Sequence, residues 1–327
     1  MIDNDGRGPV AGIDIGGTKI AVLIVDADGA VLGRATRSSS VGDQDGAAEA
    51  ILGCLDDALA LAGISRGDLR AVGVGVPGRV DRGEGTVTLA VNLGWHDYAL
   101  RDALEQRLGR PVVVENDARA AAIGLYERGV LGELDDLAYL AVGTGIAAGV
   151  ILDGALHRGA RGLAGEIGHA IADSDGPICT CGQRGCLEAF ASGPAIARRA
   201  SADNAKDVYD AAAAGDPDAV ALVDEVGRRL AWAVHLLVMT YDVERVVIGG
   251  GVSHAGPAFS DPIHRELARL RAASPTAGEL LPAGIVEILP SEAEAGAWGA
   301  VAIARSAGTA GDPTTRRATG EEVVPHA

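Results

Sequence analysis

Aromatic side chains and lysines are both scarce in this chain of 327 residues. Phe, Trp and Tyr together make up 3% of the sequence, too few for the aromatic platforms on which proteins stack single-stranded nucleic acid. Only Lys19 and Lys206 among the 28 basic residues are lysines, and the formal net charge is −17. Because an acidic surface repels phosphate backbones and anionic lipid, we expect neither nucleic acid nor a membrane as a partner.

Long apolar runs are missing as well. The longest uncharged apolar stretch, residues 137–152, falls short of the roughly 20 residues that a membrane-spanning helix needs, and glycines interrupt it. The first nine residues are polar and lack the pattern of a secretory signal. We therefore predict a cytoplasmic protein, and its length is typical of about two folded domains.

The four cysteines are unevenly distributed. Cys54 stands alone on a helical pattern, which predicts a buried small hydrophobe. Cys179, Cys181 and Cys186 lie within eight residues, and three cysteines cannot all pair among themselves. With His169 they form the pattern His-x9-Cys-x-Cys-x4-Cys, which suits a tetrahedral Zn²⁺ ion and leaves no ligand position for water. We predict a structural zinc site; three free thiols and a surface histidine are the alternative.

One pattern of strand, glycine turn, strand and second turn occurs twice. The first copy covers residues 10–29 around Gly16-Gly17-Thr18, and the second covers residues 137–154 around Gly143-Thr144-Gly145. A repeated unit of this kind indicates a duplicated domain. Strand patterns alternate with helical periodicity along the rest of the chain, which favours an α/β fold.

The glycine turns are candidates for phosphate binding. In Asp14-Ile-Gly-Gly-Thr-Lys19, two glycines allow backbone N–H groups to approach a phosphate, Thr18 adds a donor and Lys19 a cation. Asp14 is a candidate for a magnesium shell. An ordinary hairpin turn is the alternative for this motif alone, but a second turn at Thr144 favours two turns that grip one polyphosphate.

Two other nucleotide signatures are rejected. Gly73-Val-Gly-Val-Pro-Gly78 matches the dinucleotide fingerprint, but that fingerprint requires a helix after the glycines. The sequence predicts a turn-rich loop at residues 79–85 instead. A Walker loop is absent from the sequence.

The segment Glu115-Asn116-Asp117 lies between a predicted strand and a predicted helix. A carboxylate at this position either caps the helix or acts as a base, and capping is the commoner role. A phosphotransferase needs one such base, which raises the weight of the catalytic interpretation.

Together these motifs resemble the ROK family (repressor, open reading frame, kinase) of sugar kinases, from about residue 10 to residue 307. The resemblance rests on these motifs: Asp14-Ile-Gly-Gly-Thr-Lys19, Gly75-Val-Pro-Gly78, Asn92-Leu-Gly-Trp95, Glu115-Asn-Asp117-Ala, Gly143-Thr-Gly145-Ile, Gly165-Glu-Ile-Gly-His169, Cys179-Thr-Cys-Gly-Gln-Arg-Gly-Cys-Leu-Glu188 and Gly249-Gly-Gly-Val252. It implies an actin-like ATPase (ribonuclease H-like) fold, α/β in class, with two domains and a cleft between them. We predict a small domain at 1–117 plus about 293–310, a large domain at 118–292, and a disordered tail at 311–327.

The resemblance also implies roles for individual residues. Asp117 is the implied base that takes the proton from the sugar 6-hydroxyl. The implied sugar-binding residues, besides Asp117, are Asn92, Asn116, Glu166, His169 and Glu188. The implied ATP-binding residues are Asp14, Gly16, Gly17, Thr18, Lys19, Gly143, Thr144, Gly145, Gly249, Gly250 and Gly251. The implied cofactors are ATP, Mg²⁺ and a structural Zn²⁺ held by His169, Cys179, Cys181 and Cys186, and a homodimer or a dimer of dimers is expected.

The implied reaction is ATP-dependent phosphorylation of glucose to glucose 6-phosphate. N-acetylmannosamine, kanosamine, fructose and allose share the motif set and are alternatives. A repressor of this family would need an N-terminal helix-turn-helix module, for which the thirteen residues before Asp14 are too few. A non-catalytic sugar-binding regulator is a further alternative, opposed by the intact Asp117 and phosphate turns. The chain departs from the family at Ala147 and Ala148, where glycines are usual.

Overall fold

The computed structural model describes residues 8–38, 44–129, 131–132, 134–290 and 293–307. The strands are β1 (Val10–Ile15), β2 (Lys19–Val25), β3 (Val31–Ser38), β4 (Ala71–Val76), β5 (Arg79–Asp81), β6 (Thr86–Ala90), β7 (Trp95–Tyr98), β8 (Val112–Asn116), β9 (Leu137–Val142), β10 (Ile146–Leu152), β11 (Ala155–Leu156), β12 (Arg245–Gly249) and β13 (Val286–Ile288). The α-helices are α1 (Gln44–Ala62), α2 (Leu100–Leu108), α3 (Asp117–Glu127), α4 (Glu188–Ala191), α5 (Gly193–Ala200), α6 (Ala205–Ala213), α7 (Pro217–Tyr241), α8 (Pro257–Ala273), α9 (Pro275–Leu280) and α10 (Ala295–Arg305).

Two five-stranded sheets share one topology. Their strand orders are β3-β2-β1-β4-β8 and β11-β10-β9-β12-β13. In each sheet the first three strands along the chain are antiparallel neighbours, and the last two are added in parallel on the other side. The duplication that the repeated glycine turns predict is therefore present in the strand order. A third sheet of three strands, β5-β6-β7, is inserted between β4 and β8.

The central strands are apolar because helices cover them. All six residues of β4 are buried, as expected for a parallel strand with helices on both faces. On one side, α1 contributes apolar residues such as Ile51 and Leu55 to the core of the first sheet. Cys54 of the same helix is fully buried, so the prediction of a small core hydrophobe is confirmed.

Helix α10 lies against the first sheet and against α3. A Cβ atom placed on Gly12 would lie 2.4 Å from the carbonyl oxygen of Ala297, and one on Gly73 would lie 1.9 Å from that of Ala300. Only glycine at these strand positions leaves room for the helix backbone. The same close approach occurs between α10 and α3, where Gly299 faces the carbonyl oxygen of Ala120. These contacts support the assignment of α10 to the small domain, although the domain boundaries remain predictions.

Two local expectations were wrong. Apolar residues at helical spacing from Pro262 to Ala272 predict a helix over those residues, but α8 begins five residues earlier at Pro257, where proline suits the first helical position. Pro262 lies inside that helix and packs against Gly227 of α7, where it is buried. The segment 79–85, predicted as a turn-rich loop, begins with the strand β5. No helix follows Gly78 directly, so the glycines at 73–78 do not form a dinucleotide-binding fingerprint.

None of the described helices is long and apolar enough to cross a bilayer. The predicted tail at 311–327 lies outside the described residues.

Candidate active site

The junction between β8 and α3 divides two roles between neighbouring residues. Asn116 is the helix N-cap: its side-chain oxygen accepts a hydrogen bond from the Arg119 N–H at 3.2 Å. Its amide nitrogen donates to the Gly78 carbonyl at 3.1 Å and to Asp117 Oδ1 at 3.0 Å. Asp117 is the first helical residue, and its Oδ1 also accepts from the Ala118 N–H at 2.8 Å. Because Asn116 caps the helix, the Asp117 carboxylate is available for chemistry.

The environment of Asp117 suits a base that works near neutral pH. Its pKa is raised from 3.8 to about 6: burial is the main cause and the negative charge of Glu166 adds to it, while the Ala118 N–H and the Arg119 guanidinium act in the opposite direction. A carboxylate with a pKa close to the working pH is an effective proton acceptor.

Asp14 lies next to Asp117. A Cβ atom on Gly75 would lie 3.6 Å from the Asp117 Cα and 3.7 Å from Asp14 Oδ1, so the ends of β1 and β8 bring the two acids together. Burial and then the Asp117 charge raise the pKa of Asp14 to about 7, and Lys19 acts against this rise. A carboxylate beside the proposed phosphate turns is a donor of the kind that Mg²⁺ prefers, so the residues fit the predicted ion.

The two glycine turns face each other. The first is closed by a hydrogen bond from the Gly16 N–H to the Lys19 carbonyl at 2.8 Å, with Thr18 and Lys19 exposed. The second is closed by a bond from the Gly143 N–H to the Gly145 carbonyl at 3.0 Å. A Cβ atom on Gly17 would lie 2.8 Å from Thr144 Oγ1. The structure therefore brings together the two turns that the sequence predicts as a clamp.

The third glycine segment, Gly249 to Gly251, lies beside the second turn. Gly250 has a φ of +101°, and a Cβ atom there would lie 2.5 Å from the Val142 carbonyl oxygen. The Val252 N–H donates to that same oxygen at 3.1 Å. This arrangement places the predicted adenosine segment next to one predicted phosphate turn. Gly249 packs against the ring hydroxyl of Tyr139, a buried residue that sequence analysis missed.

Four predicted sugar ligands lie either beside the second turn or in the segment near Asp117. A Cβ atom on Gly145 would lie 2.8 Å from Glu188 Oε2 and 3.4 Å from Asn92 Nδ2, so these two side chains meet at the second turn. Glu188 Oε2 accepts a hydrogen bond from the Ile146 N–H at 2.8 Å. Glu166 lies near Asp117 and precedes a short 3₁₀ turn, Ile167–His169, that brings His169 into position.

The four predicted zinc ligands form one cluster. His169, Cys179, Cys181 and Cys186 offer ligand atoms that all lie within 4.8 Å of one another. The Cys181 and Cys186 sulfurs are 3.7 Å apart, close to the roughly 3.8 Å edge of a tetrahedron built from Zn–S bonds of about 2.3 Å. The Cys179 sulfur is 3.9 Å from His169 Nδ1, which leaves Nε2 on the opposite side of the ring. The donor set and its geometry fit Zn²⁺.

Sequence analysis missed a set of charged residues around Glu115. This buried carboxylate is flanked by Arg119 at 3.5 Å and by Arg158 at 3.0 Å, and Arg119 also approaches Glu166 at 3.8 Å. One signal was available, because Arg119 is the only charged residue in the run 118–126 of an otherwise apolar helix. A buried cation in such a run requires acidic partners.

Two sheets with the same strand order, each carrying a glycine turn that faces the other, are the features of the actin-like ATPase fold. Comparisons with known proteins support the same fold. Residues 10–307 match the ROK family. The chain is 35% identical over 275 residues to the glucokinase of Halalkalibacterium halodurans, covering 77% of this chain and 83% of that protein. It is 36% identical over 249 residues to the N-acetylmannosamine kinase of Escherichia coli, covering 74% and 83%.

A solved structure extends this similarity to three dimensions. The ROK family glucokinase of Streptomyces griseus, in complex with glucose and AMPPNP, superimposes with a TM-score of 0.79 and 36% identity, covering 91% of this chain and 99% of that one. The chain belongs to the ROK family. The roles of individual residues remain predictions.

Proposed function

We propose that the protein is an ATP-dependent hexose kinase that transfers the γ-phosphoryl group of ATP to the 6-hydroxyl of glucose. The observation that carries this proposal is the position of Asp117: it is not the helix cap, it is half-buried with a pKa raised to about 6, and it lies next to Asp14, which precedes the first of two facing phosphate turns. The glucokinase relatives and the S. griseus enzyme with glucose and AMPPNP support the same sugar and the same donor.

In the proposed reaction, Asp117 accepts the proton of the sugar 6-hydroxyl as that oxygen attacks the γ-phosphorus. The bond between the γ-phosphorus and the bridging oxygen breaks, and ADP leaves. Thr18, Thr144 and the turn N–H groups hold the transferring phosphates in place. Asp14 is the residue that would hold Mg²⁺, which neutralises phosphate charge when bound. Most of the rate then comes from positioning and charge neutralisation, as is usual for phosphoryl transfer.

The zinc cluster has a positioning role in this proposal. Four protein ligands leave no open position on the ion, so zinc would hold the loop that ends at Glu188 and fix the ring of His169. Glu188 contacts the second phosphate turn through the Ile146 N–H. The loop therefore connects the proposed sugar site with the proposed ATP site.

The test is a panel of hexoses with ATP and Mg²⁺, in which kcat/KM is compared for glucose, N-acetylmannosamine, fructose, allose and kanosamine. We expect glucose to be best and NMR of the product to show phosphate on the 6-hydroxyl. The Asp117→Asn protein, prepared identically, controls for contaminating kinases. A higher kcat/KM for N-acetylmannosamine would reassign the substrate. Sugar binding without turnover of any sugar would favour the non-catalytic regulator instead.

A further inference from the structure

Arg119 is one of the few charged side chains in the interior of the protein. It is the third residue of α3, its side chain is 3% exposed, and its helical neighbours are buried alanines. Removing a guanidinium from water is costly unless charged and polar partners surround it. The position therefore requires an explanation in terms of what the cation contacts.

The contacts of Arg119 lie in two segments, one at the end of a strand of the first sheet and one after a strand of the second. On one side it approaches Glu115, at the end of β8, at 3.5 Å. On the other side it meets the segment 157–166, which follows β11 of the second sheet: it donates to the carbonyl of Gly162, makes a long contact of 3.4 Å to that of Ala164, and lies 3.8 Å from Glu166 Oε1. One guanidinium thus joins the two halves of the molecule.

The joined segments are those that carry two proposed functional carboxylates. Glu115 and Arg119 lie two residues before and two residues after Asp117, while Gly162, Ala164 and Glu166 form the loop opposite. A second arginine of that loop, Arg158, contacts the other oxygen of Glu115 at 3.0 Å. The loop 157–166 is therefore held to Glu115, before Asp117, through Arg158, and to Arg119, after Asp117, through Gly162 and Glu166.

The charge arrangement gives Arg119 a specific effect on Glu166. Its guanidinium faces Oε1 of that side chain, whereas Oε2 makes no hydrogen bond or ion pair with the rest of the described chain. One oxygen of Glu166 is thus oriented by Arg119 and the other is left to accept from a sugar hydroxyl. The same cation acts on both acids: it contacts Glu166, and its positive charge lowers the pKa of Asp117, whereas the negative charge of Glu166 raises it.

We propose that Arg119 is a positioning residue that fixes the separation of Asp117 and Glu166 and thereby sets the sugar-binding geometry of the cleft. The proposal rests on the sugar-kinase function proposed above. It differs from a purely structural role, because a structural arginine would affect stability without a selective effect on sugar binding.

The test is a double-mutant cycle on Arg119→Met and Glu166→Gln, with thermal stability, kcat, sugar KM and ATP KM measured for each protein. Misplacing a binding group by about 1 Å costs on the order of 100-fold, so we expect Arg119→Met to lower kcat/KM for the sugar by roughly 10- to 100-fold. The ATP KM should change less than about threefold. In the Glu166→Gln background the same substitution should have a much smaller effect on the sugar KM.

A matched control is Arg70→Met, which also removes a part-buried arginine that donates to two backbone carbonyls, those of Arg305 and Ala307. We expect it to lower the melting temperature without a selective change in sugar KM. If Arg119→Met does not fold, the cycle is repeated with Arg119→Lys, which keeps the charge but loses the planar fork.

The outcomes separate this inference from the proposed function. Equal losses from Arg119→Met in both backgrounds, or equal changes in sugar and ATP KM, would overturn the positioning role. Calorimetric titration of sugar without ATP gives a second readout, in which the variant should bind more weakly than wild type. Wild-type protein that binds glucose but phosphorylates no hexose would refute the proposed function while leaving the effect of Arg119 on binding measurable.

Discussion

The two glycine turns occupy equivalent places in two sheets of the same strand order, yet they are supported differently. The first turn is closed by its own backbone, through Gly16 and Lys19, and has a charged residue at each end. The second turn has no charged residue, and besides its own bond from the Gly143 N–H to the Gly145 carbonyl it is held from outside: Glu188 accepts from the Ile146 N–H, and the Gly193 N–H donates to the Gly143 carbonyl at 2.8 Å. One strand order thus yields two backbone-closed turns, of which the second is also supported by the segment after the proposed zinc cluster.

The connections between strands differ more than the strands do. In the first half, the inserted sheet β5-β6-β7 is followed by the short path to Asp117. In the second half, the connection from β11 to β12 spans residues 157–244 and contains Glu166, the zinc cluster and four helices. The duplicated sheets form the framework, and the unequal connections contain most of the residues that we propose bind the sugar and zinc. This is why the expected effects of substitutions differ between the halves.

Asp117→Asn should produce the largest effect, because it removes the proposed base from the junction of the two halves. Asparagine can still accept the Ala118 N–H bond but cannot accept the proton. We expect kcat to fall by roughly 100-fold or more while the fold is unaltered. Asp218→Asn, in the first turn of α7, is the matched control. An Asp117→Asn enzyme with near-normal kcat would remove this residue from the mechanism.

Cys181→Ser tests whether the second half depends on its metal loop. Loss of one ligand should lower zinc content and free the His169 ring, which raises the sugar KM by about 10- to 100-fold and the ATP KM by less. Cys54→Ala, far from the cluster, should retain the metal. Elemental analysis of carefully purified wild-type protein tests the site itself: less than half a zinc ion per chain would count against it.

Thr18→Val and Thr144→Val compare the two turns directly. Each substitution removes one proposed hydroxyl contact to the polyphosphate and keeps the side-chain shape. We expect the ATP KM to rise by roughly 3- to 10-fold in each variant, with sugar binding little changed by calorimetry. Normal ATP kinetics in both proteins would show that the two turns do not form a phosphate clamp.

Asp14→Asn should give a smaller, pH-dependent effect on stability without ligands. The pKa of Asp14 is raised from 3.8 to about 7 by burial, so its contribution to stability is full below about pH 3.8 and is lost as pH rises through about 7. The asparagine variant should therefore melt higher than wild type at pH 8, and the difference should shrink towards pH 4.

Asp57 is the opposite case to Asp14, because its pKa is lowered rather than raised. Its hydrogen bond to Arg37 lowers its pKa, so its contribution is present above pH 3.8 and is lost as pH falls through the lowered value. Asp57→Asn should melt lower than wild type at neutral pH, by a small amount because the pair is exposed. Parallel pH trends in the two variants would contradict one of the two assignments, and the direction of the shared trend would show which.

Much of the framework could be predicted from the local pattern. The apolar runs 71–76, before Pro77-Gly78, and 137–142, before Gly143, each predict a strand, and the structure has the strands Ala71–Val76 and Leu137–Val142 with those bounds. The predicted start of α8 was wrong because proline is favoured at the first helical position and the sequence has two candidate prolines, Pro257 and Pro262. Packing of Pro262 against Gly227, remote in sequence, decides between them.

The sequence by itself determined the duplicated α/β framework, the two glycine turns and the four residues of the proposed zinc cluster, because each depends on residue types at short, fixed spacing. Only the tertiary structure decided that Asn116 and not Asp117 caps α3, that Glu188 supports the second turn, and that Arg119 reaches Glu166. These facts depend on segments about 40 or more residues apart, or on which of two adjacent side chains faces the backbone. Burial then sets the pKa of Asp117, and burial is a property of the assembled fold.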